Sequence, residues 1–144
     1  MISSISPKEW TLLVINYADK DGLAPVKLQK TLFLLKQAYK FNKFYSFKPY
    51  NYGPFDIKIY EDVGELIEKG YVQKVSTNLS WSKYLITDEG SKIVHTLESR
   101  ISKKQLSYVL KLVKWIEPLS FTTLITSIYK RYPRYRKNSV FIDS

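Results

Sequence analysis

Residues 25–41 read Pro25-Val26-Lys27-Leu28-Gln29-Lys30-Thr31-Leu32-Phe33-Leu34-Leu35-Lys36-Gln37-Ala38-Tyr39-Lys40-Phe41, and this stretch predicts the helix at the centre of the protein. Its proline suits the first turn of a helix, where the missing amide is not needed. Apolar side chains then cover most of the circumference of the helix. A helix that is apolar nearly all round is buried on every side, so the rest of the chain is expected to pack around it.

Capping residues mark the ends of the other helices. The residues Ser6-Pro7-Lys8-Glu9 combine a capping box with a proline in the first turn, so a first helix begins there. Pro54 opens a third helix, which Gly70 ends as a C-cap. Thr87, followed by two acids, caps a fourth helix. We therefore predict four helices before residue 100.

Two short extended stretches, 71–75 and 81–86, lie between the third and fourth helices around a turn at 76–80, and they predict a β-hairpin. Three helices, a hairpin and a further helix follow one another in the order of a winged helix. Ser102 and Ser120 each begin another helix. The predicted fold is mainly α with a small β-hairpin: a winged helix-turn-helix-like core plus two C-terminal helices.

The charge of the chain is distributed unevenly. The formal net charge of the 144 residues is +10, and residues 100–144 hold ten basic and two acidic side chains against thirteen and eleven before them. A basic appendage of this kind often binds nucleic acid. We predict three parts: a winged-helix-like domain at 1–100, a C-terminal helical extension packed on it at 101–132, and a basic tail at 133–144.

Two blocks in the first half of the chain carry a family resemblance. Lys27-Leu28-Gln29-Lys30 lies on the predicted second helix, and the aromatic segment after it ends in Tyr52-Gly53-Pro54. Over about residues 10–100 the sequence resembles the Panacea, or SocA-like antitoxin, domain and related uncharacterised winged-helix proteins. The resemblance implies a non-catalytic domain, which in the named branch is an antitoxin that binds a toxin protein. The residues that match the family motif are Leu28, Gln29, Lys30, Tyr52, Gly53, Pro54 and Tyr60.

The third helix and the aromatic segment before it are candidates for protein binding. We expect the exposed side of this helix to carry four acids, which oppose insertion into a DNA groove because DNA affinity comes largely from neutralised phosphates; they are Glu61, Asp62, Glu65 and Glu68. Tyr50 and Tyr52 alternate with Pro49 and Asn51, which favours one edge of the segment being exposed and available to a partner. The candidate protein-binding residues are Tyr50, Tyr52, Glu61, Glu65 and Glu68, and a solvated helix face is the alternative.

The basic C-terminal region is a candidate for nucleic-acid binding. Four lysines of the fifth helix fall within one arc of about 100° at 100° per residue, and residues 130–137 interleave basic side chains with two tyrosines that can stack on an unpaired base. The alternative is a solvated face, with cations that favour a helix C-terminus. The candidate residues are Lys103, Lys104, Lys111, Lys114, Lys130, Arg131, Arg134, Arg136 and Lys137.

The composition argues against catalysis. There is no cysteine and one histidine, His95, so thiol chemistry, thiolate metal sites and two-histidine mechanisms are excluded. His95 lies beside apolar positions, and we expect it to be a partly buried structural residue. No glycine-rich phosphate loop is present. We predict that the protein is not an enzyme and uses no metal and no cofactor.

Other sequence features predict the location and the partner. No apolar run approaches the roughly 18 residues of a membrane span, and the first residues do not resemble a signal peptide, so we predict a cytoplasmic protein without a membrane partner. The leading functional prediction is a non-enzymatic, antitoxin-like winged-helix binding module that acts by protein–protein contact, with a toxin as the partner. The alternative is a DNA-binding protein or transcriptional regulator that uses the basic C-terminal helices and tail.

Overall fold

The structure is a computed structural model that describes residues 5–76 and 82–140. In these ranges it has six α-helices, α1 to α6, which span Pro7–Tyr17, Pro25–Ala38, Ile57–Glu68, Asp88–Glu98, Lys103–Ile116 and Phe121–Arg131. A 3-10 helix spans Pro133–Arg136, and four strands, β1 to β4, span Lys48–Tyr50, Gly53–Phe55, Val72–Ser76 and Ser82–Ile86. The fold is thus mainly helical with two small antiparallel hairpins, β1–β2 and β3–β4.

The predicted helix caps are confirmed. The Ser6 amide donates to Glu9 Oε1 at 2.8 Å, and the Glu9 amide donates to Ser6 Oγ at 3.2 Å, which completes the capping box of α1. Gly70 has a φ of 81° and follows the end of α3, where a left-handed residue lets the chain turn back. Thr87 caps α4. Within residues 5–76 and 82–140, no helix is long and apolar enough to cross a membrane.

Helix α2 is the central helix, as predicted. Every residue from 28 to 35 is buried, and α2 contacts α1, α5, β2 and β4. Its Phe33 ring is fully buried, and Phe47, Tyr132 and Tyr135 surround it in edge-to-face contacts. Residues from both ends of the chain therefore share one hydrophobic core around α2.

The β3–β4 hairpin confirms the predicted pair of strands, although residues 77–81 of its turn and second stretch lie outside the described residues. The β1–β2 hairpin was not predicted, and the prediction that Pro54 opens α3 is wrong. Pro54 lies in β2 opposite Pro49, and α3 begins at Ile57 after the side chain of Asp56 caps it. Gly53, with a φ of 96°, allows the tight turn that brings β2 back along β1.

The C-terminal segment is part of the packed structure up to residue 140. Tyr135 is buried against the core, the Asn138 side chain donates to the Pro49 carbonyl oxygen at 3.3 Å, and the Val140 amide donates to the Asn51 carbonyl oxygen at 2.9 Å. Residues 133–140 of the predicted basic tail therefore do not form a free tail, because aromatic burial and hydrogen bonds to the β1–β2 hairpin hold them. Residues 141–144 lie outside the described residues, and the division into domains stays a prediction.

Candidate functional site

The residues of the family motif meet where α2 faces the β1–β2 hairpin. The Gln29 side chain forms two hydrogen bonds with the backbone of Asp56: Nε2 donates to the carbonyl oxygen at 2.9 Å, and Oε1 accepts from the amide at 3.0 Å. Lys30 Nζ donates to the Pro54 carbonyl oxygen at 3.0 Å. These bonds span more than twenty residues of sequence, so this half of the motif fastens the hairpin and the start of α3 to the central helix.

Lys30 is buried without a carboxylate partner. Its relative exposure is 2%, and no carboxylate of the described residues forms an ion pair with it. Removal from water disfavours the charged form, and burial accordingly lowers the pKa of Lys30 to about 7. Because its amine donates to a backbone carbonyl oxygen that joins α2 to β2, we assign Lys30 a structural role.

The other motif residues divide between core and surface. Leu28, Gly53 and Pro54 are buried. Tyr60 is half-buried, and burial raises its pKa to about 12. Tyr52 is 45% exposed and packs edge-to-face on Phe121, with ring centres 5.2 Å apart. Of the seven motif residues, Tyr52 is the one that offers a large exposed surface to a partner.

Asp62 corrects the predicted acidic face of α3. Its exposure is 3%, and its Oδ2 accepts from the Tyr45 hydroxyl at 2.6 Å, while Lys58 Nζ lies 3.1 Å from Oδ1. The Tyr45 hydroxyl also lies 2.7 Å from Thr11 Oγ1, and burial raises the pKa of Tyr45 well above its usual value. The segment before β1 covers this side of α3, so Asp62 belongs to a buried polar network and not to a binding face.

The three other acids of α3 are exposed, as predicted. Glu65 Oε2 lies 2.6 Å from Lys8 Nζ, and this bond lowers the pKa of Glu65 below its usual value. Glu61 and Glu68 form no ion pair with any described residue. They recur with Ile57, which is 56% exposed, at the spacing of one helix face.

Exposed aromatic side chains adjoin this face. Tyr50, at 52% exposure, stacks on Phe55 with ring centres 4.8 Å apart, and Phe55 lies two residues before Ile57. Phe55 also packs edge-to-face on Tyr60 of α3, with ring centres 5.5 Å apart, and so links the hairpin to this helix. We give the name acidic–aromatic surface to the exposed residues of the β1–β2 hairpin and of this face of α3, namely Tyr50, Tyr52, Ile57, Glu61 and Glu68. Sequence reasoning missed Ile57, although its spacing of four and eleven residues from the two acids places it on their face.

The predicted basic residues are all exposed. Lys103, Lys104 and Lys111 of α5 form no ion pair with a described residue, whereas Lys114 Nζ lies 3.7 Å from Glu117 Oε1. Lys114 also lines a separate cavity of about 360 Å³, whose lining includes Glu117, the residue that follows α5, and two aspartates of the α1–α2 loop. The four lysines of α5 therefore do not act as one set, because Lys114 lies beside negative charge.

A groove between α2, α5 and α6 brings basic and aromatic side chains together. It has a volume of about 570 Å³. Its floor includes Leu34, Leu112 and Ile128, and its rim carries aromatic rings and cations, namely Tyr108, Trp115, Tyr132, Lys130 and Arg131. We call it the basic–aromatic groove. Sequence reasoning selected its two cations but missed Trp115 and Tyr108, which stand seven residues apart on α5.

The two tyrosines of residues 130–137 correct the prediction of base stacking by that segment. Tyr135 is 7% exposed, and its ring centre lies 4.8 Å from that of Phe33. The Tyr132 ring is half-buried, with its centre 5.0 Å from that of the same phenylalanine, and it lines the groove. Core packing around α2 therefore takes the tyrosines inward and leaves the cations of the segment outward.

His95 is also placed differently from the prediction. Its side chain is 89% exposed, because the buried stripe of α4 consists of Gly90, Val94 and Leu97, and His95 points away from it. In the part of the chain that the structure describes, no group of three or more histidine, aspartate or glutamate side chains is arranged to hold a metal ion.

Comparison of the chain with protein-family models and with curated proteins finds no match.

Proposed function

We propose that the protein is a non-enzymatic, antitoxin-like winged-helix binding module that acts by protein–protein contact. The acidic–aromatic surface is the observation that carries this proposal. It combines three large apolar side chains, each between 45% and 56% exposed, with two carboxylates that have no ion-pair partner in the described residues. Exposed aromatic and aliphatic side chains beside unpaired charges are typical of a surface that a protein partner covers and removes from water.

The charge of this surface favours a protein over DNA. In a winged helix, α3 occupies the position of the helix that reads DNA. Glu61, Glu65 and Glu68 are exposed on it, and carboxylates next to phosphates oppose binding. The complementary partner is a protein with a basic patch around an apolar centre. The resemblance of residues 10–100 to antitoxin domains supports a toxin as this partner.

The test is growth rescue by co-expression with each protein encoded beside this gene. The wild-type chain is expected to restore growth to cells that one of these proteins inhibits. The double variant Ile57→Ala with Glu61→Lys is expected to lose rescue and to bind the purified toxin at least about tenfold more weakly, since it removes the most exposed apolar anchor of the surface and reverses one of its charges.

The matched control is the double variant Leu110→Ala with Glu89→Lys, which makes the same chemical changes at exposed positions on α5 and α4. It is expected to rescue growth as well as the wild type does. Absence of rescue against every neighbouring protein, or equal loss in the two double variants, would contradict the proposal.

A second candidate function is nucleic-acid binding through the C-terminal helices. The observation that favours it is the row of Lys103, Lys104 and Lys111, which are exposed on α5 without an ion-pair partner in the described chain. Lysines on one helix face can follow a phosphate backbone and give affinity without sequence readout. This function uses a different face from the acidic–aromatic surface, so one protein can combine the two.

The salt dependence of binding tests the second candidate. Each lysine at a phosphate contributes about 0.9 to the slope of log affinity against log salt on duplex DNA. The double variant Lys104→Ala with Lys111→Ala is therefore expected to flatten this slope by about two and to weaken all sequences alike. Fluorescence anisotropy at several salt concentrations measures the slope. Replacement of Lys20 and Lys92, two exposed lysines on other elements, is the control, and an equal loss of slope there would count against the assignment.

A further inference from the structure

An exposed tryptophan stands at the rim of the basic–aromatic groove. Trp115 is 49% exposed, and no other aromatic ring of the described residues packs against it. A tryptophan side chain is among the largest apolar groups a protein can bury, and a half-exposed one beside a groove marks an interaction site more often than an exposed leucine does. About half of the Trp115 side chain is therefore open to a ligand in the groove.

The surroundings of Trp115 combine flat apolar groups with positive charge. Lys130 and Arg131 lie on the rim across the groove, on α6, and Tyr108 lies on the same side as Trp115. Arg131 is close enough to Tyr108 that its charge partly offsets the rise that burial gives to the pKa of that tyrosine. No carboxylate lines the groove in the described chain. The ligand that complements it carries negative charge and a planar apolar surface.

The α5 side of the groove extends this pattern along the helix. At 100° per residue, four residues of α5 fall within an arc of about 60°, and they alternate cation and ring; they are Lys104, Tyr108, Lys111 and Trp115. Lys104 and Lys111 therefore lie on the helix face that leads into the groove. A ligand that places rings and anions in alternation would meet both kinds of partner along this face.

We infer that the basic–aromatic groove binds single-stranded nucleic acid, with an unpaired base on Trp115 and phosphates at Lys111, Lys130 and Arg131. An exposed base supplies a π-face for Trp115, and every nucleotide adds one phosphate for the cations. A duplex keeps its bases stacked on one another, so it offers phosphates but no open base face. An acidic peptide satisfies the cations and leaves the exposed ring unused. The inference deepens the second candidate function, because it names the form of nucleic acid and the residue that selects it.

The experiment is a titration of the whole chain into fluorescein-labelled twelve-nucleotide oligo(dT) and oligo(U), and into a twelve-base-pair duplex, at low salt. We expect both single strands to bind more tightly than the duplex. Trp115→Ala is expected to weaken single-strand binding roughly tenfold, the usual effect of losing one stacking ring. Trp115→Phe, which keeps a smaller ring, is expected to recover most of that affinity while losing the part of the fluorescence quenching by the oligonucleotide that arises at Trp115.

Leu110→Ala is the matched control, because Leu110 is 41% exposed on the same helix but outside the groove. We expect it to bind single strands as the wild type does. Duplex binding that keeps its lysine-dependent salt slope, together with no effect of Trp115→Ala on the single strands, would overturn this inference and leave the second candidate standing. If none of the three oligonucleotides binds, both this inference and the second candidate function are overturned. Displacement of oligo(dT) by polyglutamate at equal charge concentration would assign the groove to acidic peptides instead.

Discussion

Replacement of Gly90 by alanine is expected to lower the free energy of unfolding by about 3 kcal/mol. Gly90 lies in the first turn of α4, where the helix rests on the backbone that leads into β3. A Cβ atom at this position would lie 2.1 Å from the Tyr71 carbonyl oxygen and 2.8 Å from Ile86 Cδ1. The same oxygen accepts a hydrogen bond from the Thr87 amide at 3.1 Å, so the backbone cannot yield without breaking the start of α4.

Thermal unfolding measures this loss, which is expected to lower Tm by roughly 10 °C for a domain of this size. Gly64→Ala is the control. Gly64 lies in the interior of α3 with no atom within 4 Å of the added Cβ, so alanine there is expected to raise stability by about 0.5 to 1 kcal/mol. Similar Tm values for the two variants would contradict the close approach of α4 to Tyr71.

The sequence predicted those parts of the fold whose signals are local. Ser6 and Glu9 are three residues apart, and their reciprocal hydrogen bonds form as soon as α1 does. Gly70 ends α3 through its own backbone conformation. The apolar residues around the circumference of α2 can likewise be recognised from the sequence of that helix alone. None of these features needs knowledge of which distant segment packs where.

Predictions failed where a distant segment decides the outcome. Pro54 has the features of a helix start, but Lys30 of α2 donates to the Pro54 carbonyl oxygen and Gln29 bonds to the backbone of Asp56, which holds this stretch in a strand. Asp62 has the helical spacing of an exposed acid, and Tyr45 covers it from a segment seventeen residues earlier. Such contacts have no periodicity in the sequence, so local patterns place Pro54 in a helix and Asp62 on the surface.

The candidate binding sites show the same division. The cations of the C-terminal region were predictable, because charged side chains stay exposed in almost any fold. Their aromatic companions were not: Tyr135 is drawn into the core by Phe33, whereas Trp115 remains at the rim of the groove. Which ring is buried depends on how α2, α5 and α6 pack together. A helical wheel of α5 alone carries no information on this packing.

The buried Lys30 is expected to make the free energy of unfolding depend on pH. In the unfolded chain its pKa returns to the usual 10.5, while burial holds it at about 7 in the folded protein. Between these values the unfolded state binds more protons than the folded state, so stability rises with pH across this window. Below about pH 7 both states carry the proton, and the full cost of burying the charge is present.

The variant Lys30→Met is therefore expected to remove this rise. The free energy of unfolding of the wild type should increase by about 2 kcal/mol relative to the variant between pH 7 and pH 9. Urea unfolding at a series of pH values measures the difference. Titration of the buried tyrosines is common to both proteins and cancels, and the lost hydrogen bond to the Pro54 carbonyl oxygen shifts the variant by the same amount at every pH.

Lys40→Met removes the same charge from an exposed site two residues beyond α2 and serves as the control. Its difference from the wild type is expected to stay constant over this range, because a solvated amine has no desolvation cost to release. Parallel pH curves for the wild type and Lys30→Met would mean that the Lys30 amine stays charged in the core. In that case a carboxylate or a trapped water must compensate the buried charge. The hydrogen bond from α2 to the Pro54 carbonyl oxygen in β2 would then come from a charged amine and not from a neutral one.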